Sequence, residues 1–243
     1  MNNITIHPSS ENSVLITWPE KICSLQHQQI LRTLSQLNTE LNNISDPFIF
    51  ESIASYNSIM IYYYFNKISF HQLKARIHAC IEFAIKADIS EQAKSLTIEI
   101  PVYYGEEAGW DLSNVAKQCQ LSTNEVIERH SQQLYRSYAL GFTPGFCYLG
   151  TLDTQLVLPR KATPRLQVPK GAVAIAEQQT AVYPNSSPGG WHIIGQTPVD
   201  LYQQNKGTFT PLIQVGQQVK FTAIDKTTYL ELAGKPPFVE EKH

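Results

Sequence analysis

Hydrophobic and polar residues follow two different rhythms along this chain, and the change falls after Leu134. In the first part, short apolar runs alternate with helical stripes. Val14 to Trp18 reads as a strand, and Ser24 is placed to cap a helix whose apolar face runs through Ile30, Leu31, Leu34 and Leu37. Phe48 to Phe50 and Ile59 to Phe65 are the next strands. Ser69 and Gln72 make a capping-box pattern ahead of a stripe at Leu73, Ile77, Cys80, Ile81 and Ala84. Leu96, Ile98, Ile100 and Val102 then alternate as a half-buried strand does. The order strand, helix, strand, strand, helix, strand predicts a small α+β sandwich with helices on one face of a sheet. The polar stretch Ala87 to Lys94 marks the boundary to a second domain.

Asp111 opens a short helix with Leu112, Val115, Ala116 and Cys119 on its buried side. Ser122 and Glu125 form a second capping box before Val126, Ile127 and His130. After Leu134, short strands are predicted at Tyr135 to Leu140, Gln155 to Leu158, Ala172 to Ala176 and Thr180 to Tyr183. Further strands follow at Trp191 to Ile194, Val199 to Tyr202 and Val219 to Ile224. Gly, Pro, Asn and Ser turns separate them, with no helical pattern of useful length between, which favours a closed β-barrel or sandwich.

Composition narrows the partners. With 19 Lys and Arg against 21 Asp and Glu, the formal charge is −2 and no long-range pull on nucleic acid or anionic lipid is built in. The two adjacent short helices invite a helix-turn-helix reading, but Glu125 and Glu128 against Arg129 make a poor set for a phosphate-lined groove. The amino terminus lacks the order of a signal peptide, and no apolar run reaches the roughly 20 residues of a membrane helix. Cys23, Cys80, Cys119 and Cys147 are scattered, which predicts reduced thiols in a cytoplasmic protein. Neither nucleic acid nor a membrane is expected as a partner.

Candidate chemistry concentrates in two segments that place aromatic rings beside Gly and Pro: Gly141 to Gly150, with Phe142 and Phe146, and Ser187 to Trp191. Such segments either seal a barrel end or line a binding groove. No phosphate loop or dinucleotide fingerprint is present, since Lys170-Gly171 has the reverse order and precedes a strand. His71 and His78 lack a third metal ligand, so no metal site is expected. His130 and His192 read either as acid–base groups or as structural hydrogen-bonding residues. Cys147 has no local base to activate it as a nucleophile. In Pro159 to Arg165, the two arginines offer forks suited to a carboxylate or to a partner's acidic chain; the alternative is that Arg160 and Arg165 satisfy loop carbonyls and acidic neighbours. Gln178, Gln179, Thr180 and Tyr183 add neutral groups that suit an amide-containing substrate.

Several blocks together carry a resemblance. They include Ile100-Pro101-Val102-Tyr103-Tyr104-Gly105, Gly141-Phe142-Thr143-Pro144-Gly145-Phe146, Leu158-Pro159-Arg160, Pro164-Arg165, Gln179-Thr180, Tyr183-Pro184 and Ser187-Pro188-Gly189-Gly190-Trp191. The chain resembles the bacterial 5-oxoprolinase B-subunit family, also described as KipI-like or allophanate-hydrolase-subunit-1-like. The resemblance implies an α+β protein, with a small ferredoxin-like N-terminal domain over residues 1–92 and a cyclophilin-like β-barrel over residues 93–243. It implies two partners, the C-subunit and the A-subunit of 5-oxoprolinase, with which the lactam of 5-oxoproline is hydrolysed to L-glutamate at the expense of ATP. ATP and Mg²⁺ are expected at the level of that complex. The alternatives are a KipI-like inhibitor of a sporulation histidine kinase and a component of an enzyme hydrolysing allophanate or another small amide. Matching positions put His130, Arg160, Arg165, Gln179 and Tyr183 near a groove or shared interface, with Phe142, Phe146 and Trp191 as its aromatic part. Glu106, Trp110, Lys161, Glu177, Gln178 and Ala181 depart from the family pattern, which bears on loop shape and substrate choice.

Overall fold

In a computed structural model, the residues described are 4–19, 30, 31, 33, 34, 37, 48–86, 97–205 and 207–234. The chain divides into two compact units, Met1–Lys94 and Ser95–His243.

In the first unit, β1 (Thr5–Ser10) and β2 (Ser13–Thr17) form a hairpin, as do β3 (Ile49–Ser55) and β4 (Ser58–Tyr63). β4 pairs antiparallel with β2, giving the strand order β1-β2-β4-β3. Val14, Ile16, Ile59 and Ile61 are fully buried on alternate positions, the period-two pattern of a sheet with one covered face. Helix α1 (Phe70–Lys86) buries Leu73, Ile77, Cys80, Ile81 and Ala84, the stripe its sequence predicts. Its start is fixed locally: the Ser69 hydroxyl accepts from Gln72 N–H, and the Gln72 side chain accepts from Ser69 N–H. Ile30, Leu31, Thr33, Leu34 and Leu37 are helical, with Ile30, Thr33 and Leu37 buried. Ser24, Cys23 and the boundary stretch Ala87 to Lys94 lie outside the described residues.

The second unit is a closed, mixed seven-strand barrel. Its strands are β5 (Thr97–Tyr103), β6 (Leu134–Leu140), β7 (Cys147–Gly150), β9 (Ala172–Ala176), β10 (Gln179–Val182), β12 (His192–Gln196) and β15 (Gln218–Ile224). They run in the order β6-β15-β5-β12-β9-β10-β7, and β7 pairs back onto β6. Only β15 and β5 are parallel, from Gln218 opposite Thr97 to Ile224 opposite Tyr103. Helices α2 (Leu112–Cys119) and α3 (Thr123–Gln132) intervene between β5 and β6. The capping box of Ser122 and Glu125 starts α3, and its buried face carries Val126 and His130. Two short ribbons, β8 (Arg165–Val168) with β11 (Ser187–Gly189) and β13 (Tyr202–Asn205) with β14 (Thr208–Pro211), lie outside the barrel ladder. Helix α4 (Lys226–Ala233) follows β15.

β9 is buried along its whole length, and its alternation explains how. Val173 and Ile175 join the barrel interior with Ile100, Leu149, Val182, Ile194, Val219 and Phe221. Ala172, Ala174 and Ala176 belong instead to a second cluster with Phe146, Val168, Tyr183, Trp191 and Ile193. Large residues thus fill the inside of the wall and small ones let an outer layer of loops lie flat against it. That outer layer builds the site.

Two expectations need correction. Gln155 to Leu158 is not a strand: Asp153 accepts from Gln155 N–H and starts a single 3₁₀ turn over Thr154–Leu156, leaving one isolated bridge from Leu158 to Glu177. Val199 to Tyr202 is shifted, the strand beginning at Tyr202.

Candidate functional site

A cavity of about 200 Å³ opens in this outer layer. The β6–β7 loop supplies Phe142 and Phe146, and β7 supplies Tyr148. Arg160, Lys161 and Pro164 come from the segment before β8, Tyr183 directly follows β10, Gly189 ends β11, and Gly190 and Trp191 join β11 to β12. Phe146 is the hub. Its ring meets Phe142, Tyr148, Tyr183 and Trp191 edge to face, with centroids 4.9–5.9 Å apart, the arrangement favoured by the ring quadrupole. Phe142 is 61% exposed and holds φ of +71°, a left-handed conformation that a bulky residue seldom adopts. Glycine is required at 189, where a Cβ would stand 2.2 Å from the Tyr183 hydroxyl oxygen.

Beneath the rim lies a charge cluster. Asp111 immediately precedes α2, yet its carboxylate makes no capping bond. Its two oxygens take both prongs of Arg165 at 2.8 and 3.0 Å, Lys161 Nζ at 2.7 Å and the Ile193 N–H at 2.8 Å. Burial pushes the Asp111 carboxyl up, but the bonds from Arg165, Lys161 and Ile193 outweigh it and hold it below the ordinary carboxylate range. The Arg165 guanidinium also lies over the Trp110 ring at 5.4 Å. This cluster ties the start of α2, the segment before β8 and the start of β12 into one frame. In sequence Asp111 reads only as a helix opener, because its partners are 50 and 54 residues away.

The structure brings Phe142, Phe146, Arg160, Tyr183 and Trp191 together around the cavity. Arg165, Gln179 and His130 are not among its lining residues. Arg165 is committed to Asp111, so the carboxylate it recognises is one of this chain's own. Gln179 begins β10, paired with Ala176. His130 is fully buried in the barrel, stacked on Phe221 at 4.7 Å. Its hydrogen bonds fix its tautomer. Thr180 Oγ1 donates to the Ala174 carbonyl, so it accepts from His130 Nε2–H at 2.9 Å, and Nδ1 accepts from the Tyr104 hydroxyl at 2.7 Å. Burial pulls its pKa down to about 3, so the ring is neutral near pH 7.

No lining group is set up to attack. Cys147 is buried in the barrel core and bonded to the Ser137 hydroxyl, and burial pushes its thiol up to about 12. Burial likewise raises the Tyr183 hydroxyl to about 12, partly offset by a hydrogen bond with the Trp191 backbone. His192 Nε2–H is committed to the Pro159 carbonyl. The arrangement suits binding and orientation: Phe142 and Tyr148 give accessible aromatic surface and Arg160 a cationic rim for an acid. Among the described residues no group of three or more His, Cys, Asp or Glu side chains is placed to hold a metal ion.

Residues 4–212 match the family described as carboxyltransferase domain, subdomain C and D. The chain is 37% identical to the 5-oxoprolinase B-subunit of Haemophilus influenzae, covering 90% of this chain and 97% of that protein. The chain belongs to the 5-oxoprolinase B-subunit family. A second member, the 5-oxoprolinase B-subunit of Bacillus subtilis, is 36% identical over 82% of this chain and 90% of its own length. The family fold recurs in the crystal structure of TTHA0988 at 32% identity and a TM-score of 0.72, covering 87% of this chain. This chain spans only 40% of that longer one. The Kluyveromyces lactis urea carboxylase shares the fold alone, with 16% identity, a TM-score of 0.68 and coverage of 96% of this chain and 23% of the enzyme. Among the described residues no helix is long and apolar enough to cross a membrane.

Proposed function

We propose that this chain is the B-subunit of an ATP-dependent 5-oxoprolinase, acting with the A-subunit and the C-subunit to hydrolyse 5-oxoproline to L-glutamate. The observation that carries this reading is the identity of 36–37% to proteins of that name over nearly their whole length. In the reaction the ring C–N bond breaks, the carbonyl carbon gains a hydroxyl group from water, and the nitrogen gains a proton. ATP hydrolysis supplies the driving force. The cavity has an aromatic wall, a cationic rim and no activated nucleophile, which supports a binding and orienting role rather than a self-sufficient active site. ATP and Mg²⁺ belong to the complex as a whole. We infer also that the first unit is ferredoxin-like, supported by the order β1-β2-β4-β3 with α1 following the central strand β4, and that the barrel is of the cyclophilin type.

Omission of each component in turn from a mixture of this chain, the A-subunit and the C-subunit with ATP, Mg²⁺ and 5-oxoproline tests the proposal, with glutamate and ADP measured. Glutamate should form only in the complete mixture. Full activity without this chain would overturn the assignment, and turnover of another small amide instead would reassign the substrate.

A further inference from the structure

Arg160 differs from the cations beside it. The Pro159 carbonyl before it accepts from His192 Nε2–H at 2.9 Å. Lys161 after it donates its N–H to the Gly190 carbonyl at 2.8 Å and its ammonium to Asp111 at 2.7 Å. The backbone is therefore pinned on both flanks, and Arg160 is presented at the cavity rim by a frame that does not depend on its own side chain. Lys161 and Arg165 already share the Asp111 carboxylate, whereas Arg160 has one ion pair, from Nε to Glu177 Oε1 at 3.4 Å. Both partners of that pair are more than half exposed, 57% and 58%, and a pair so open to water adds little stability. An incoming acid displaces it at little cost. A guanidinium presents a planar fork that grips a carboxylate through two parallel bonds, and the ion pair with Glu177 is a long one, through Nε at 3.4 Å.

The cavity that Arg160 lines also carries Phe142, 61% exposed, and the half-buried Tyr148, seated on the buried Phe146, Tyr183 and Trp191 rings, so a flat ligand has Phe142 and Tyr148 to lie against. The Trp191 backbone hydrogen-bonds the Tyr183 oxygen, leaving the hydroxyl proton to be donated. We propose that Arg160 is the carboxylate anchor of this cavity and that its ligand is a small cyclic amide acid, a five-membered lactam lying against the aromatic wall with its carboxylate on the Arg160 fork. The inference rests on the 5-oxoprolinase reading for the ligand's identity. The geometry alone supplies the anchor for an acid.

The test uses the reconstituted complex, with 5-oxoproline and with 2-pyrrolidinone, the same ring without its carboxylate. Arg160→Ala should raise KM for 5-oxoproline at least tenfold with kcat within twofold and an unchanged melting temperature, because the side chain is exposed and binds ground and transition states alike. Arg160→Lys should recover part of the loss, and Glu177→Gln should lower KM by freeing the fork. For 2-pyrrolidinone, the unsubstituted chain and Arg160→Ala should be equally poor. Equal KM values for 5-oxoproline would overturn the anchor while leaving the 5-oxoprolinase reading intact. If the complex does not turn over 5-oxoproline, that reading fails separately, and the anchor is then decided on this chain by titrating Trp fluorescence with 5-oxoproline and 2-pyrrolidinone. Binding of the acid alone, weakened tenfold or more in Arg160→Ala, upholds the anchor; no binding, or binding that Arg160→Ala leaves unchanged, removes it.

Discussion

Acidification should unfold the barrel through His130. The ring is neutral in the fold, donating to Thr180 and accepting from Tyr104, and burial lowers its pKa from 6.5 to about 3. An unfolded chain takes up the proton near pH 6.5, so between those values the unfolded state binds more protons and stability rises with pH. The contribution is fully present above pH 6.5 and is lost as the pH falls towards about 3. At pH 5 the loss from this group alone is about 2 kcal/mol, from one and a half pH units at about 1.4 kcal/mol each. Other titrating groups contribute as well, so the informative quantity is a difference. His130→Gln keeps an acceptor and a donor without a titrating ring. Urea unfolding at pH 7.5 and pH 5.0, read by hydrogen-exchange mass spectrometry on β6 and β10 peptides, should show the unsubstituted barrel losing about 2 kcal/mol more than the variant over that interval. Equal losses would mean that His130 is already protonated in the fold, or reaches water, and the hydrogen-bond assignment would be wrong.

Asp111→Asn should destabilise the barrel unit by about 3–5 kcal/mol in thermal or urea unfolding, because two half-buried cations lose their shared carboxylate; a loss under 1 kcal/mol would show that water replaces it. Gly189→Ala should cost about 1–3 kcal/mol by driving the Tyr183 ring off its seat, visible as a changed Tyr183 environment by NMR. Cys147 should resist thiol reagents at pH 8 in the folded chain and react only on unfolding, with peptide mapping to locate the label; rapid labelling would place it outside the core.

What was legible in the sequence was local. The two capping boxes, the stripe from Leu73 to Ala84 and the alternation of β5 each depend on residues within a turn or two of one another. β1 escapes the pattern because it is almost wholly polar, with Ile6 its one buried residue. β7 hides inside the aromatic segment, where Gly and Pro dominate the pattern, and α4 has too weak an apolar stripe to stand out, burying only Tyr229. For the site, the aromatic members are visible as a cluster of rings beside turn residues. The allocation of cations is not: Arg160 and Arg165 look alike in sequence, and only the fold delivers Asp111 to one and leaves the other at the rim. The family resemblance puts His130 near the groove, although its hydrogen-bond partners Tyr104 and Thr180 hold it inside the barrel.

A strand with occupants on both sides has no slack. Because β9 packs Val173 and Ile175 inward and Ala172, Ala174 and Ala176 outward, the wall on which the aromatic cluster rests and the interior of the barrel are two sides of one five-residue segment. A methyl added to that wall has nowhere to go except into Phe146 or Trp191, or through the strand into the core. Substitution is tolerated best at the mouth, in the segment carrying Phe142 and the one carrying Arg160, where side chains reach solvent.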